Sequence, residues 1–132
     1  MHHTYKIFPE HRLHIEQMEG EFSLGSLATA TDKMLADPSF DASYDSVVDF
    51  RNAKAQMTRV EILAYSELIK TTGLFNGESK WAIVASDPLT LELSEIFKNR
   101  THQNDNIRVL TTIQEAVEFI QNPEILKHLT DH

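Results

Sequence analysis

Apolar positions along this chain change period several times, and each change marks an element. Tyr5-Lys6-Ile7-Phe8 and Leu13-His14-Ile15-Glu16-Gln17-Met18 alternate apolar with polar as half-buried strands do, and Pro9 with Glu10-His11-Arg12 between them predicts a hairpin. Ser23 is placed to cap a helix that carries Leu24, Leu27, Ala28, Thr31, Met34 and Leu35 on one stripe. Asp37-Pro38 ends it. The short run Ser46-Val47-Val48-Asp49-Phe50 follows polar turn residues and reads as a central strand that closes near Arg51.

Thr58 with Glu61 has the spacing of a capping box, and Gly73 is a natural C-cap. The helix between them presents Val60, Leu63, Ala64 and Leu68 to a core, while Ile62, Tyr65 and Ile69 lie on a second apolar arc. Something is therefore expected to cover both arcs. Trp81-Ala82-Ile83-Val84-Ala85 predicts another strand, and Asp87-Pro88 opens a helix with Leu89, Leu93, Ile96 and Phe97 inward. A polar loop, Thr101-His102-Gln103-Asn104-Asp105-Asn106, leads to strand Ile107-Arg108-Val109-Leu110. The last helix faces inward through Ile113, Ala116, Val117 and Ile120.

The resulting order, ββαβαβαβα, predicts an α/β fold: a mixed sheet with an antiparallel N-terminal hairpin, a parallel portion and helical crossovers. The 132 residues suit one domain, with residues 123–132 as a C-terminal tail. In that tail Ile125, Leu126 and Leu129 have helical spacing. Docking on the same molecule is the first expectation for it, and pairing with a second copy as a homodimer is the next.

Composition narrows the chemistry. With 41% hydrophobic and 24% charged residues the chain is of the globular class. The absence of cysteine excludes disulfides, thiolate nucleophiles and cysteine metal sites. A reducing cytoplasm is the expected location, since no signal-like leader and no apolar run of about 20 residues is present. A net charge of −8 disfavours nucleic acid, and Lys98, Arg100 and Arg108 are scattered around Asp105. The seven histidines lack helical metal spacing and read as surface residues, and Glu16, Glu19 and Glu21 read as a solvated edge. No metal or cofactor is expected. Four glycines make no phosphate-cradling loop.

In open α/β sheets the C-terminal end of a central strand is the usual place for a site. Asp49 and Arg51 share a strand face there, beside Asn52, Ser86 and Asp87, and can either hold a ligand or tether the loop through an internal ion pair.

The element order, the Pro38-Ser39-Phe40-Asp41 turn, the Val48-Asp49-Phe50-Arg51 strand end and the segment Leu110-Thr111-Thr112-Ile113-Gln114-Glu115-Ala116 resemble a branch of STAS-like proteins. That branch is similar in fold to bacterial anti-sigma-factor antagonists and is sometimes grouped with CRAL-TRIO lipid-binding domains. The resemblance implies a switch at a phosphorylated serine in an Asp-Ser-Ser-Gly-like segment. Here the corresponding stretch is Ala55-Gln56-Met57-Thr58-Arg59, whose hydroxyl in register is Thr58. A phosphoryl group suits a helix N-terminus, but a helix cap uses the same hydroxyl.

Two functions follow as expectations. The first is a non-enzymatic regulatory module that binds a protein partner through Thr58 and the end of the central strand. The alternative is a carrier of a small apolar molecule or lipid, with Ile62, Tyr65, Ile69, Phe75 and Phe97 around it. A discrete cavity lined by Ile62, Tyr65, Phe75 and Phe97 favours the carrier, and a flat apolar face with Thr58 exposed at its rim favours the module. An enzyme comes last, because no nucleophile, base and orienting group assemble from spacing.

Overall fold

The computed structural model describes residues 1–75, 78–102 and 105–131. Gln103 and Asn104 of the polar loop, and Gly77 among the glycines, lie outside the described residues. Five strands form one sheet: β1 (His2–Phe8), β2 (Leu13–Phe22), β3 (Asp45–Ala55), β4 (Trp81–Ala85) and β5 (Ile107–Leu110). They lie side by side in chain order, with β1 antiparallel to β2 and all later neighbours parallel. The mixed α/β sheet expected from the pattern is therefore the one formed.

Four helices connect and cover it: α1 (Leu24–Ala36), α2 (Arg59–Thr71), α3 (Pro88–Arg100) and α4 (Ile113–Ile120). Crossovers of one hand that always step in the same direction place their helices on one face. Accordingly α1, α2 and α3 share a core with Met18, Phe22, Val48, Phe50 and Ile83, while α4 covers the other face over Leu13, Ile15, Val47, Ala82 and Val84. The tail joins α4: Ile125 and Leu129 are buried in that second core, and Leu126 is exposed. Docking on the same molecule is thus what the tail does within this chain.

The caps lie where the sequence places them. Ser23 and Thr58 each accept a hydrogen bond from the backbone N–H three residues on, and Asp87 does the same with Pro88 at the first helical position; Thr112 caps α4 in the same way, a cap the pattern reading does not name. What differs is which side of two helices turns inward. In α2 the buried residues are Ile62, Tyr65, Ser66 and Ile69, while Val60, Leu63, Ala64 and Leu68 are exposed, the reverse of the expected assignment. Both arcs satisfy the i, i+3, i+4 rule, so period alone cannot choose. The arc that carries the Tyr65 ring is the one turned to the core, where the ring packs on Phe97. In α3, Thr90 and Ser94 replace Leu89 at the contact, and Leu89 is exposed.

Strand β3 runs five residues beyond Phe50 because it contains a bulge. Gln17 pairs with Asp49 and Glu19 with Asn52, so β3 carries one residue more than β2 across that interval. A bulge breaks the period-2 alternation and re-aims side chains. The alternation fails at Arg51-Asn52, which is where the pattern ends the strand too early. Beyond it Ala53 and Ala55 return to the first core.

Candidate functional site

The sequence directs attention to the C-terminal end of β3, and there the structure brings some of the expected residues together. Arg51, Asn52 and Ser86 line one polar groove of about 320 Å³ with Gln17 and the tail residues His128, Leu129 and Thr130. The bulge is the reason that two consecutive residues, Arg51 and Asn52, both reach it. Strand order runs from β1 to β5 without reversal, however, so no topological switch point opens a crevice here.

Arg51 is already engaged. Its Nε and Nη2 donate to the two oxygens of buried Asp49 at 3.0 and 3.1 Å, and its Nη1 donates to the Thr130 carbonyl at 2.8 Å. Asp131 completes the clamp: it accepts from Arg51 Nη1 at 3.4 Å, from the Ile113 N–H at 2.7 Å and from the Gln114 N–H at 3.0 Å. Of the two roles open to the Asp49–Arg51 pair, the tether is the one this geometry serves, and what it tethers is the tail. Replacing Asp131 with Ala removes an acceptor from two unpaired N–H groups of the first turn of α4. We expect a loss of about 1 kcal/mol in chemical denaturation and faster amide exchange at Ile113 and Gln114.

Thr58 and Asp87 lie elsewhere and act as caps. Thr58 Oγ1 accepts from the Glu61 N–H at 3.1 Å while Glu61 Oε1 accepts from the Thr58 N–H at 3.0 Å. A phosphoryl group on Thr58 would stand beside that carboxylate. Asp87 accepts from the Thr90 N–H and hydroxyl, bonds that hold its carboxyl below the ordinary range, and Thr90 Oγ1 in turn accepts from the Ala55 N–H.

A second site lies inside the first core. The small residues Thr90 and Ser94 let α3 come close to the strands, whereas α1 and α2 make their closest backbone approaches to each other and to α3. The space left beneath α1 and α2 is a cavity of about 90 Å³, and its wall includes all of Ile62, Tyr65, Ile69, Phe75 and Phe97. Rings form one end: Phe75 packs on Trp81 and Phe97 with centroids 5.2 and 5.9 Å apart, and Tyr65 lies 5.7 Å from Phe97. Burial pushes the Tyr65 phenol above its ordinary pKa, so it stays a neutral donor.

The cavity wall also contains Glu16. The expectation of a solvated acidic edge fails for this residue, because β2 lies between β1 and β3 and both its faces are covered. His3, across the β1–β2 ladder, approaches Glu16 Oε1 through Nε2 at 3.1 Å, with both side chains about nine-tenths buried or more at 8% and 10% exposure. His14 corrects the surface reading of the histidines in the same way: it is fully buried, bonded to Ser46 and stacked on Phe40. The signal for both was present in the alternation, since Leu13 and Ile15 point to one face and His14, Glu16 and Met18 to the other. Only the packing of helices over both faces of the sheet shows that neither face of β2 is wet.

Among the described residues no helix is long and apolar enough to cross a membrane, and no group of three or more His, Asp or Glu is placed to hold a metal ion. No protein-family model matches the chain, and no curated protein matches it.

Proposed function

We propose that this protein is a non-catalytic binding module for a small, mainly apolar molecule, held in the cavity beneath α1 and α2. The observation that carries the reading is the cavity itself, lined by the residues whose arrangement distinguishes a carrier from a flat interaction surface: Ile62, Tyr65, Phe75 and Phe97. Apolar pockets with few polar groups are the usual form of small-molecule sites. The volume is below the roughly 150 Å³ of a dry cavity that accepts benzene, so the ligand is slender or the wall yields as it enters. The STAS-like resemblance and its lipid-binding relatives belong to this proposal, as does a cytoplasmic location.

A second reading rests on a separate feature. Val60 and Leu68 are 76% and 48% exposed, and with Leu63 they form an apolar row on α2 that begins two residues from exposed Thr58. Such a row suits a regulatory protein partner or a second copy of the chain.

Native mass spectrometry of gently purified protein separates the two. The carrier reading expects a small-molecule adduct that survives dilution and disappears on denaturation. Its overturning result is a clean apo mass combined with unmoved Ile62 and Ile69 methyl resonances when n-hexanol is added.

A further inference from the structure

The polar inventory of the cavity wall is one-sided. Thr31 Oγ1 donates to the Leu27 carbonyl at 3.0 Å, so at the 2.6 Å contact between Thr31 and Tyr65 it is Tyr65 that donates. Thr90 donates to Asp87 at 2.9 Å, Ser94 donates to the Thr90 carbonyl at 2.7 Å, and the Trp81 indole N–H donates to Ser79 at 3.3 Å. Among the described residues every side-chain donor on the wall is spent within the protein. The remaining polar group is Glu16, which when ionised can only accept.

Its neighbour is an imidazole. His3 Nε2 lies 3.1 Å from Glu16 Oε1, and Nδ1 of the same ring is the one buried side-chain nitrogen or oxygen among the described residues without a partner. No lysine or arginine lines the cavity. The Glu16 carboxylate keeps acceptor capacity beyond its one contact with the imidazole, since two oxygens can accept about four hydrogen bonds.

The wall is otherwise apolar, from Met34 and Phe40 to Phe75 and Phe97, around only about 90 Å³. So small an apolar space suits a thin, flexible, unbranched chain better than a bulky ring. From these features, and resting on the ligand-binding reading above, we infer that the cavity takes a primary aliphatic amine: the chain lies along the aromatic end and the ammonium donates to Glu16. A fatty acid is excluded by the same argument, since its carboxylate would face Glu16 with no donor to share.

Titration calorimetry at pH 7 with n-hexylamine, n-hexanol and hexanoate tests this, with the Ile62 and Ile69 methyl resonances reporting the site. Hexylamine is expected to bind about ten- to a hundredfold more tightly than hexanol, the usual worth of a hydrogen bond to a charged group, and hexanoate not at all. In Glu16→Gln the preference for amine over alcohol disappears while hexanol still binds. Equal or weaker binding of amine relative to alcohol, or binding of hexanoate, overturns the amine inference and leaves the carrier reading in place. Failure of all three probes removes both. The comparison among probes on the unaltered protein stands even if Glu16→Gln does not fold.

Discussion

Acidification from pH 7 to pH 5 is expected to remove about 2 kcal/mol of folding stability, and about 3 kcal/mol by pH 4, through one residue, His14. The imidazole has no exposed surface, and desolvation lowers its pKa from 6.5 to about 4 against the opposing pull of Asp41 and Asp37. Its hydrogen bonds explain why the neutral ring is the one accommodated. The Asp41 N–H donates to Nε2 at 3.3 Å, which assigns the ring proton to Nδ1, and Nδ1 lies 2.9 Å from Ser46 Oγ. A second proton would have to occupy the nitrogen that the Asp41 N–H already points at.

The folded-state pKa is below the unfolded one, so the contribution is complete above about pH 6.5 and is lost as the pH falls toward 4. Asp37 and Asp41 are themselves held below the ordinary carboxylate range, by hydrogen bonds from Ser39 and Ser43 foremost, so their own loss of charge comes at still lower pH. Between pH 7 and 5 these two carboxylates therefore stay charged, and comparison with a His14 variant separates His14 from the other six histidines. Urea denaturation across that interval should show the slope in the unaltered protein and less than half of it in His14→Gln, whatever baseline stability that variant has. Undiminished stability at pH 5 would mean that the imidazole is not held neutral by burial.

The second large effect concerns the orientation of α2. Ile69→Ala should cost 2–5 kcal/mol, the range for removing a fully buried branched chain, with the upper part applying if the wall does not collapse. Ile69 is 1% exposed and lines a cavity that already lacks atoms on one side. Leu68→Ala, one residue earlier and half exposed, should stay within about 0.5 kcal/mol. The helical pattern read alone gives the opposite ranking, because it turns Leu68 inward. Paired denaturation curves thus decide between the two faces, and equal losses at both positions would mean that the exposed row is covered in solution. Ile69→Ala also enlarges the cavity, so an amine or alcohol that binds there should restore part of the lost stability in proportion to its occupancy.

Much of the fold follows from local physics, and those parts are legible in the chain. A capping hydroxyl with its partner three residues on, an Asp-Pro helix start, and a β-branched run between turn residues act over a few positions whatever the rest of the molecule does. Hence β4 and β5 have the expected ends, and Ser23, Thr58 and Asp87 are caps. The order of strands and helices, read from the change between periods of 2 and 3.6, defines the mixed sheet for the same reason.

The sites were decided by contacts between distant segments. Whether Glu16 and His14 are wet depends on what covers the two faces of β2, which requires the helices to be in place. Which arc of α2 turns inward depends on its packing against α1 and α3, which are distant in the chain. The bulge that brings Arg51 and Asn52 to one groove is a register relation between β2 and β3, and the tether at its edge joins residues about 80 positions apart. Sequence by itself determined the elements, their caps and their order, because those depend on neighbours along the chain. Tertiary structure alone decided burial, because a side chain's solvent is whatever the rest of the fold puts next to it.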